Sequence, residues 1–211
     1  MIVPASTFKV ANTIIALETG AVKDENEIIP YGGKPQPFKQ WEKDMSMREA
    51  IALSAIPIYQ EIARRVGSGR YRDWLARLDH GNRQPGTSVD TFWLDGPLEI
   101  SAVEQAHFVA RLAQQKLDAS PRAQAITRDI IRLESSSSKL LYGKTGWRFA
   151  SNPNPRLVDR LGRTGRKDRG LFVDHRHAGS WNRCPKAGCD RQGFALQARR
   201  PLMFAHAIRR G

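Results

Sequence analysis

Cysteine is almost absent from this chain: two residues in 211, Cys184 and Cys189. A disulfide-dense scaffold is thereby excluded. No uninterrupted apolar run reaches the roughly 20 residues needed to cross a bilayer, which excludes a helical membrane protein and a membrane partner. Met1-Ile2-Val3-Pro4 supplies neither the basic nor the apolar region of an export signal, so the chain as written is expected in the cytoplasm. There is no internal repeat, and the serine run at 135–138 is a loop, not a low-complexity domain. Glutamate is missing from residues 152–211, which carry 14 Lys and Arg against four Asp.

What is present divides at about the same place. Residues 1–151 hold 20 Lys and Arg against 17 Asp and Glu, so most of the net charge of +13 sits in the last 60 residues. With 40% apolar and 26% charged residues the chain can bury a core. The first part is punctuated like a helical domain. Residues 6–18 form an apolar helix with Ser6 at its start and Gly20 beyond its end. Residues 21–45, with Pro30, Gly32, Gly33, Pro35 and Pro37, form a surface excursion. Ser46 to Glu49 is a capping box opening a helix to about Leu53. Pro57 opens the next, which runs to Val66 before Gly67. Further helices are expected over 71–78, from the capping box Ser101 to Glu104 to about Lys116, and from Ser120-Pro121 to about Leu133. Residues 139–150 suit a strand.

Ser6-Thr7-Phe8-Lys9 carries the chemistry. The i, i+3 spacing puts Lys9 one helical turn from Ser6, on the same face. A serine hydroxyl is a poor nucleophile until a base takes its proton, and a lysine serves only when desolvation strips its charge. Val10, Ile14 and Ile15 supply that apolar setting. The pattern alone is weak, but Ser54-Ala55-Ile56 at a helix break and Lys144-Thr145-Gly146 on the expected strand reinforce it. Lys144 would provide positive potential, Thr145 a hydroxyl for a substrate carboxylate, and Gly146 room for close approach. A phosphate loop at Gly143-Lys144-Thr145 fails, because Ser138 stands where its first glycine is required.

These motifs, with Gly33-Lys34-Pro35, Gln40-Trp41-Glu42, Gly81-Asn82, Phe92-Trp93-Leu94, Ile100-Ser101-Ala102-Val103 and Tyr142 to Trp147, resemble the class D serine β-lactamases over roughly residues 4–153. The resemblance implies an α/β fold of the α+β type, β-lactamase/transpeptidase-like, here mostly its helical part with an incomplete sheet. It implies a β-lactam substrate, Ser6 as acylated nucleophile, and Lys9 as general base, carboxylated by carbon dioxide, with no other cofactor and no metal. Ser54 would relay protons, and Lys144, Thr145 and Gly146 would line the substrate site. Trp93 would donate its indole N–H to the carbamate. The oxyanion hole would pair the Ser6 N–H with one near Trp147. Family enzymes act in the periplasm. His80 stands where the family usually has Tyr or Phe, and the strands that should precede Ser6 are absent.

Residues 154–211 depart from the family. A tryptophan-rich strand should follow Lys144-Thr145-Gly146, yet residues 156–163 show no apolar periodicity. Read one base later, a back-translation of residues 157–164 gives Trp-Trp-Ile-Gly-Trp-Val-Glu, and one entered at His175 allows Ile-Asp-Met-Pro. The sequence therefore implies a shifted reading frame near residues 153–156 and a poorly packed basic tail. With about one native strand left in the sheet, poor folding and low turnover are expected. Two alternatives remain: a penicillin-sensing domain acylated without turnover, and a basic nucleic-acid-binding protein built on residues 152–211. The tail lacks interleaved aromatics, so no nucleic acid is expected as partner. Cys184 and Cys189 with His175 and His177 are too irregularly spaced for a zinc site.

Overall fold

The computed structural model describes residues 1–135, 140–146, 157–164 and 170–177. The chain divides into two compact units, Met1–Ala178 and Gly179–Gly211, and every described residue belongs to the first.

A 3-10 turn, Ala5–Phe8, runs directly into helix α1, Lys9–Glu18. Nothing caps this junction with a side chain. Ser6, expected at the helix start, lies inside the turn, and Thr7 steadies it by donating its hydroxyl to the Pro4 carbonyl at 2.6 Å. Every residue of α1 from Lys9 to Leu17 is buried. An apolar stripe on one side would fit a surface helix, but this helix is apolar nearly all round and therefore occupies the centre. Thr19 and Gly20, at φ +67°, end it as the sequence predicts.

The other helices pack around α1. They are α2 (Met47–Leu53), α3 (Ile56–Val66), α4 (Ser68–Arg77), α5 (Ala102–Ala113) and α6 (Pro121–Ile130). The box at Ser101 is complete, with the Ser101 hydroxyl accepting from the Glu104 N–H and the Glu104 carboxylate accepting from the Ser101 N–H. At Ser46 only half of the box forms, because the Glu49 carboxylate turns to Lys43 instead. The surface excursion is pinned by a short ladder, β1 (Ile28–Ile29) against β2 (Met45–Ser46), and by buried Trp41, whose indole donates to the Leu53 carbonyl.

The strands differ most from expectation. Helix α6 stops at Ile130, and Arg132–Ser135, expected as its end, forms β3. The serines that follow disfavour helix, since their hydroxyls compete for the backbone. Within the expected strand 139–150, Leu140–Tyr142 forms β4, antiparallel to β3. Residues 157–164 and 170–177 pair as an antiparallel hairpin, β5 and β6, with Leu157 opposite His177 and Thr164 opposite Gly170. So the described residues hold three two-stranded ladders, not a single strand. A ladder is made by main-chain groups, so it can form where side-chain alternation gives no signal. The remaining residues from 147 to 211, with Trp147, Cys184 and Cys189, lie outside the described residues. No helix among the described residues is long and apolar enough to cross a membrane.

Candidate active site

The turn Ala5–Phe8 and α1 fix the first pair. Lys9 donates from Nζ to the Ser6 hydroxyl oxygen at 2.8 Å. Lys9 is fully buried and Ser6 is 7% exposed, so the serine alone reaches the surface. Burial holds the Lys9 amine well below its ordinary value, and the positive charge of Lys144 pushes it further down. Both effects favour the neutral form of an amine held within hydrogen-bond reach of a hydroxyl. The Tyr59 ring closes the pocket, its centroid 5.4 Å from Nζ.

A second serine–lysine pair faces the first. Lys144 donates to the Ser54 hydroxyl at 2.9 Å and to the carbonyl of Thr145 at 3.0 Å. Desolvation lowers its pKa to about 8, so it stays mostly charged at neutral pH. Ser54 ends α2 in the left-handed region, at φ +56°, and Ala5 before the other serine has φ +48°. Non-glycine residues in that region cost about 1–3 kcal/mol each. Here the strain aims one hydroxyl at Lys144 and sets up the other turn.

Gly146 makes room, though for the chain itself. A Cβ there would lie 2.9 Å from Thr7 Cγ2 and 3.0 Å from the Pro4 carbonyl oxygen. Its absence lets the segment after β4 lie directly on the catalytic turn. Thr145 is exposed beside it. Trp93 is completely buried, stacked on Phe8 at 5.5 Å, and its Nε1 has no hydrogen-bond partner among the described residues. A buried indole N–H normally finds one.

Sequence reasoning missed the polar layer behind this site. Thr13 and Tyr59 share a hydrogen bond of 2.8 Å, and the Tyr71 hydroxyl donates to Asn12 at 2.6 Å. All four are buried. The available signal was Asn12-Thr13, two polar residues one turn beyond Lys9 in an otherwise apolar helix. No group of three or more His, Cys, Asp or Glu suited to a metal occurs among the described residues.

An accessible serine beside a buried, desolvated lysine, with a second serine–lysine pair next to it, has the ingredients of a site for serine acyl transfer. Comparison with known proteins narrows the class. The penicillin-binding-protein transpeptidase domain matches residues 1–157. Beta-lactamase OXA-10 of Pseudomonas aeruginosa is 44% identical over 144 residues, which is 68% of this chain and 54% of that protein. Beta-lactamase OXA-48 of Klebsiella pneumoniae is 38% identical over 71% of this chain and 57% of its own length. Among solved structures, FUS-1 (OXA-85), a class D β-lactamase from Fusobacterium nucleatum subsp. polymorphum, superposes with a TM-score of 0.76 and 36% identity. It covers 82% of this chain and 71% of its own. The chain belongs to the class D β-lactamase family and has its penicillin-binding/β-lactamase-like fold. It spans about half the length of the curated relatives it matches.

Proposed function

We propose that this chain is a class D serine β-lactamase that opens the β-lactam amide through an acyl-enzyme on Ser6. One observation carries the proposal: a fully buried lysine amine 2.8 Å from a serine that alone reaches solvent. Lys9 takes the Ser6 proton as the hydroxyl oxygen attacks the lactam carbonyl. The carbonyl carbon gains the Ser6 oxygen and loses the ring nitrogen, which takes a proton relayed through Ser54. Lys144 and Thr145 receive the substrate carboxylate, where the ammonium also favours Ser54 as a proton donor. The Ser6 N–H and one near Trp147 stabilise the oxyanion. The family's place of action, the periplasm, completes the proposal.

The residues also suit a carbamate on Lys9. Only a neutral amine adds carbon dioxide, and burial shifts Lys9 toward that form. Carboxylate oxygens there would offer a partner to Trp93 Nε1, which has none among the described residues. Once formed, the carbamate supplies a base for the water that hydrolyses the acyl-enzyme.

Intact mass of the purified full chain, before and after incubation with a penicillin, tests the proposal when product is assayed in the same tube. Hydrolysed product, lost in Ser6→Ala, is the expected result. A stable adduct without product would identify a penicillin sensor instead. Soluble protein giving neither adduct nor product refutes both.

A further inference from the structure

His80 is completely buried, yet neither ring nitrogen has a hydrogen-bond partner among the described residues. Its surroundings are aromatic. The ring meets Phe8 nearly edge-on at 5.5 Å and Phe108 of α5 at 4.9 Å. Phe8 stands between Ser6 and Lys9 in the chain and also touches Tyr71, Phe92 and Trp93. The side chain of His80 is thus one of the walls that seat the catalytic turn.

The backbone around His80 is held under strain. Asp79, Gly81 and Arg83 have φ of +52°, +54° and +61°, so every second residue of the turn is left-handed. Gly81 presses so closely on the Glu99 carbonyl that a Cβ would lie 2.1 Å from it. Asn82 clamps the same segment, donating to the Pro97 carbonyl at 2.8 Å and accepting from the Glu99 N–H at 3.1 Å. Ile100 beyond it pairs with Ile2, just before the catalytic turn. The turn therefore reaches Ser6 twice, through the His80 ring and through this ladder.

We infer that His80 is a positioning residue for the catalytic turn that works only as neutral imidazole, giving this chain an acid limit set by one side chain. A proton is accommodated when the ring leaves the cluster, and Phe8 then loses a wall. The charged groups around the ring do not compensate. On α5, Glu104 is exposed and committed to the Ser101 cap, His107 is exposed, and Arg111 donates to the Leu78 carbonyl. In the turn, Asp79 pairs with Arg83. Glu99 meets the turn through its main chain. On the Phe8 side lies Lys9, whose burial favours its neutral form. Desolvation accordingly lowers His80 from 6.5 to about 4, outweighing the opposing pulls of its own backbone and, after it, of Glu104. The unfolded ring binds its proton from about pH 6.5 downward and the folded ring resists to about 4, so stability is lost as pH falls through that window.

The catalytic half of this inference rests on the proposed function, and the experiment separates the two. Unfolding equilibria of wild type, His80→Phe and His80→Tyr are compared from about pH 7.5 to 4.5, alongside acylation by a penicillin. Through this group alone the wild-type unfolding constant should rise on the order of fifty- to a hundredfold across that range. Both variants should lack that part of the acid dependence. At about pH 7.5 both should acylate like wild type, while His80→Ala acylates more slowly because Phe8 has lost its wall. As pH falls, the wild-type rate should drop before that of His80→Phe. Equal acid slopes in wild type and both variants would overturn the inference, as would undiminished acylation by His80→Ala. No acylation by wild type at about pH 7.5 would overturn the proposed function and leave the unfolding comparison to decide on His80.

Discussion

Replacing Gly146 by Ala adds one methyl group, and the geometry fixes what it meets. Its Cβ would stand 2.9 Å from Thr7 Cγ2, 3.0 Å from the Pro4 carbonyl oxygen and 3.4 Å from the Thr7 nitrogen. Ordinary contacts of this kind lie at about 3.5–4.0 Å. Neither neighbour yields easily, because the Pro4 carbonyl already accepts from the Thr7 hydroxyl at 2.6 Å and from its N–H at 3.1 Å. The segment carrying Lys144 and Thr145 must therefore back away from Ser6. Overpacking of this size costs about 1–3 kcal/mol. If the strain falls on the reacting geometry, kcat/KM drops roughly 5- to 150-fold, since about 1.4 kcal/mol is tenfold in rate. The assay is the acylation rate with a penicillin, with thermal unfolding measured in parallel. Thr7→Ser removes Cγ2 and keeps the hydroxyl, so in the double variant it should restore part of the lost rate. Wild-type acylation by Gly146→Ala would refute the close-approach argument, and failure of Thr7→Ser to rescue would show that Thr7 Cγ2 is not the obstacle.

Other outcomes follow from the same geometry. Trp93→Phe should cost about 1–3 kcal/mol of stability through the cavity it leaves at a fully buried site, with no hydrogen bond to a described residue lost. The variant should nevertheless weaken the 13C carbamate signal of protein equilibrated with labelled bicarbonate; an undiminished signal would remove Trp93 from that role. Lys144 is charged below its pKa of about 8 and neutral above it, so kcat/KM for a carboxylate-bearing penicillin should fall as pH rises through that value. A rate that stays flat to about pH 10 would separate Lys144 from substrate binding. DNA sequencing across residues 153–178 should reveal a tryptophan-rich strand one base out of frame, and a gene lacking that alternative frame ends the frame-shift proposal.

The helices were legible because their ends are written in local chemistry: Gly20 and Gly67 as stops, Pro57 and Pro121 in first turns, Ser101 with Glu104 as a cap. Helix α4 begins at Ser68, earlier than the expected Tyr71, because Gly67 both ends α3 and starts the next helix. Strands were harder. Arg132 to Ser135 carries no alternation, and its pairing with β4 depends on a partner reached across a loop. At the site, the contact between Ser6 and Lys9 followed from their spacing, but its chemical meaning needed the support of Ser54 and of Lys144 to Gly146. The pairing of Ser54 with Lys144, 90 residues apart, needed the resemblance to bring them together. Tyr59 stayed hidden and His80 showed only as a departure from the family, because their importance is that of place, beside Lys9 and Phe8, and spacing along a chain does not record place.

Several unfavourable features of this domain gather around the two serines. Of the five left-handed non-glycine residues described, Ala5 precedes one serine and Ser54 is the other, and two lysines share a desolvated setting. Among the described residues, four buried side chains carry polar atoms without a partner, Asn12, His80, Trp93 and Gln105; Asn12 lies one turn beyond Lys9, and His80 and Trp93 both pack on Phe8. A sequence selected for stability alone would replace such groups. Each lowers the free energy of unfolding, and together they amount to several kcal/mol that the apolar packing of α1 against α3 and α6 must offset. Their location is the argument for function. Strain holds the serines in place, and burial keeps Lys9 a base. The same packing that makes this affordable at neutral pH leaves His80 with no way to accept a proton in place.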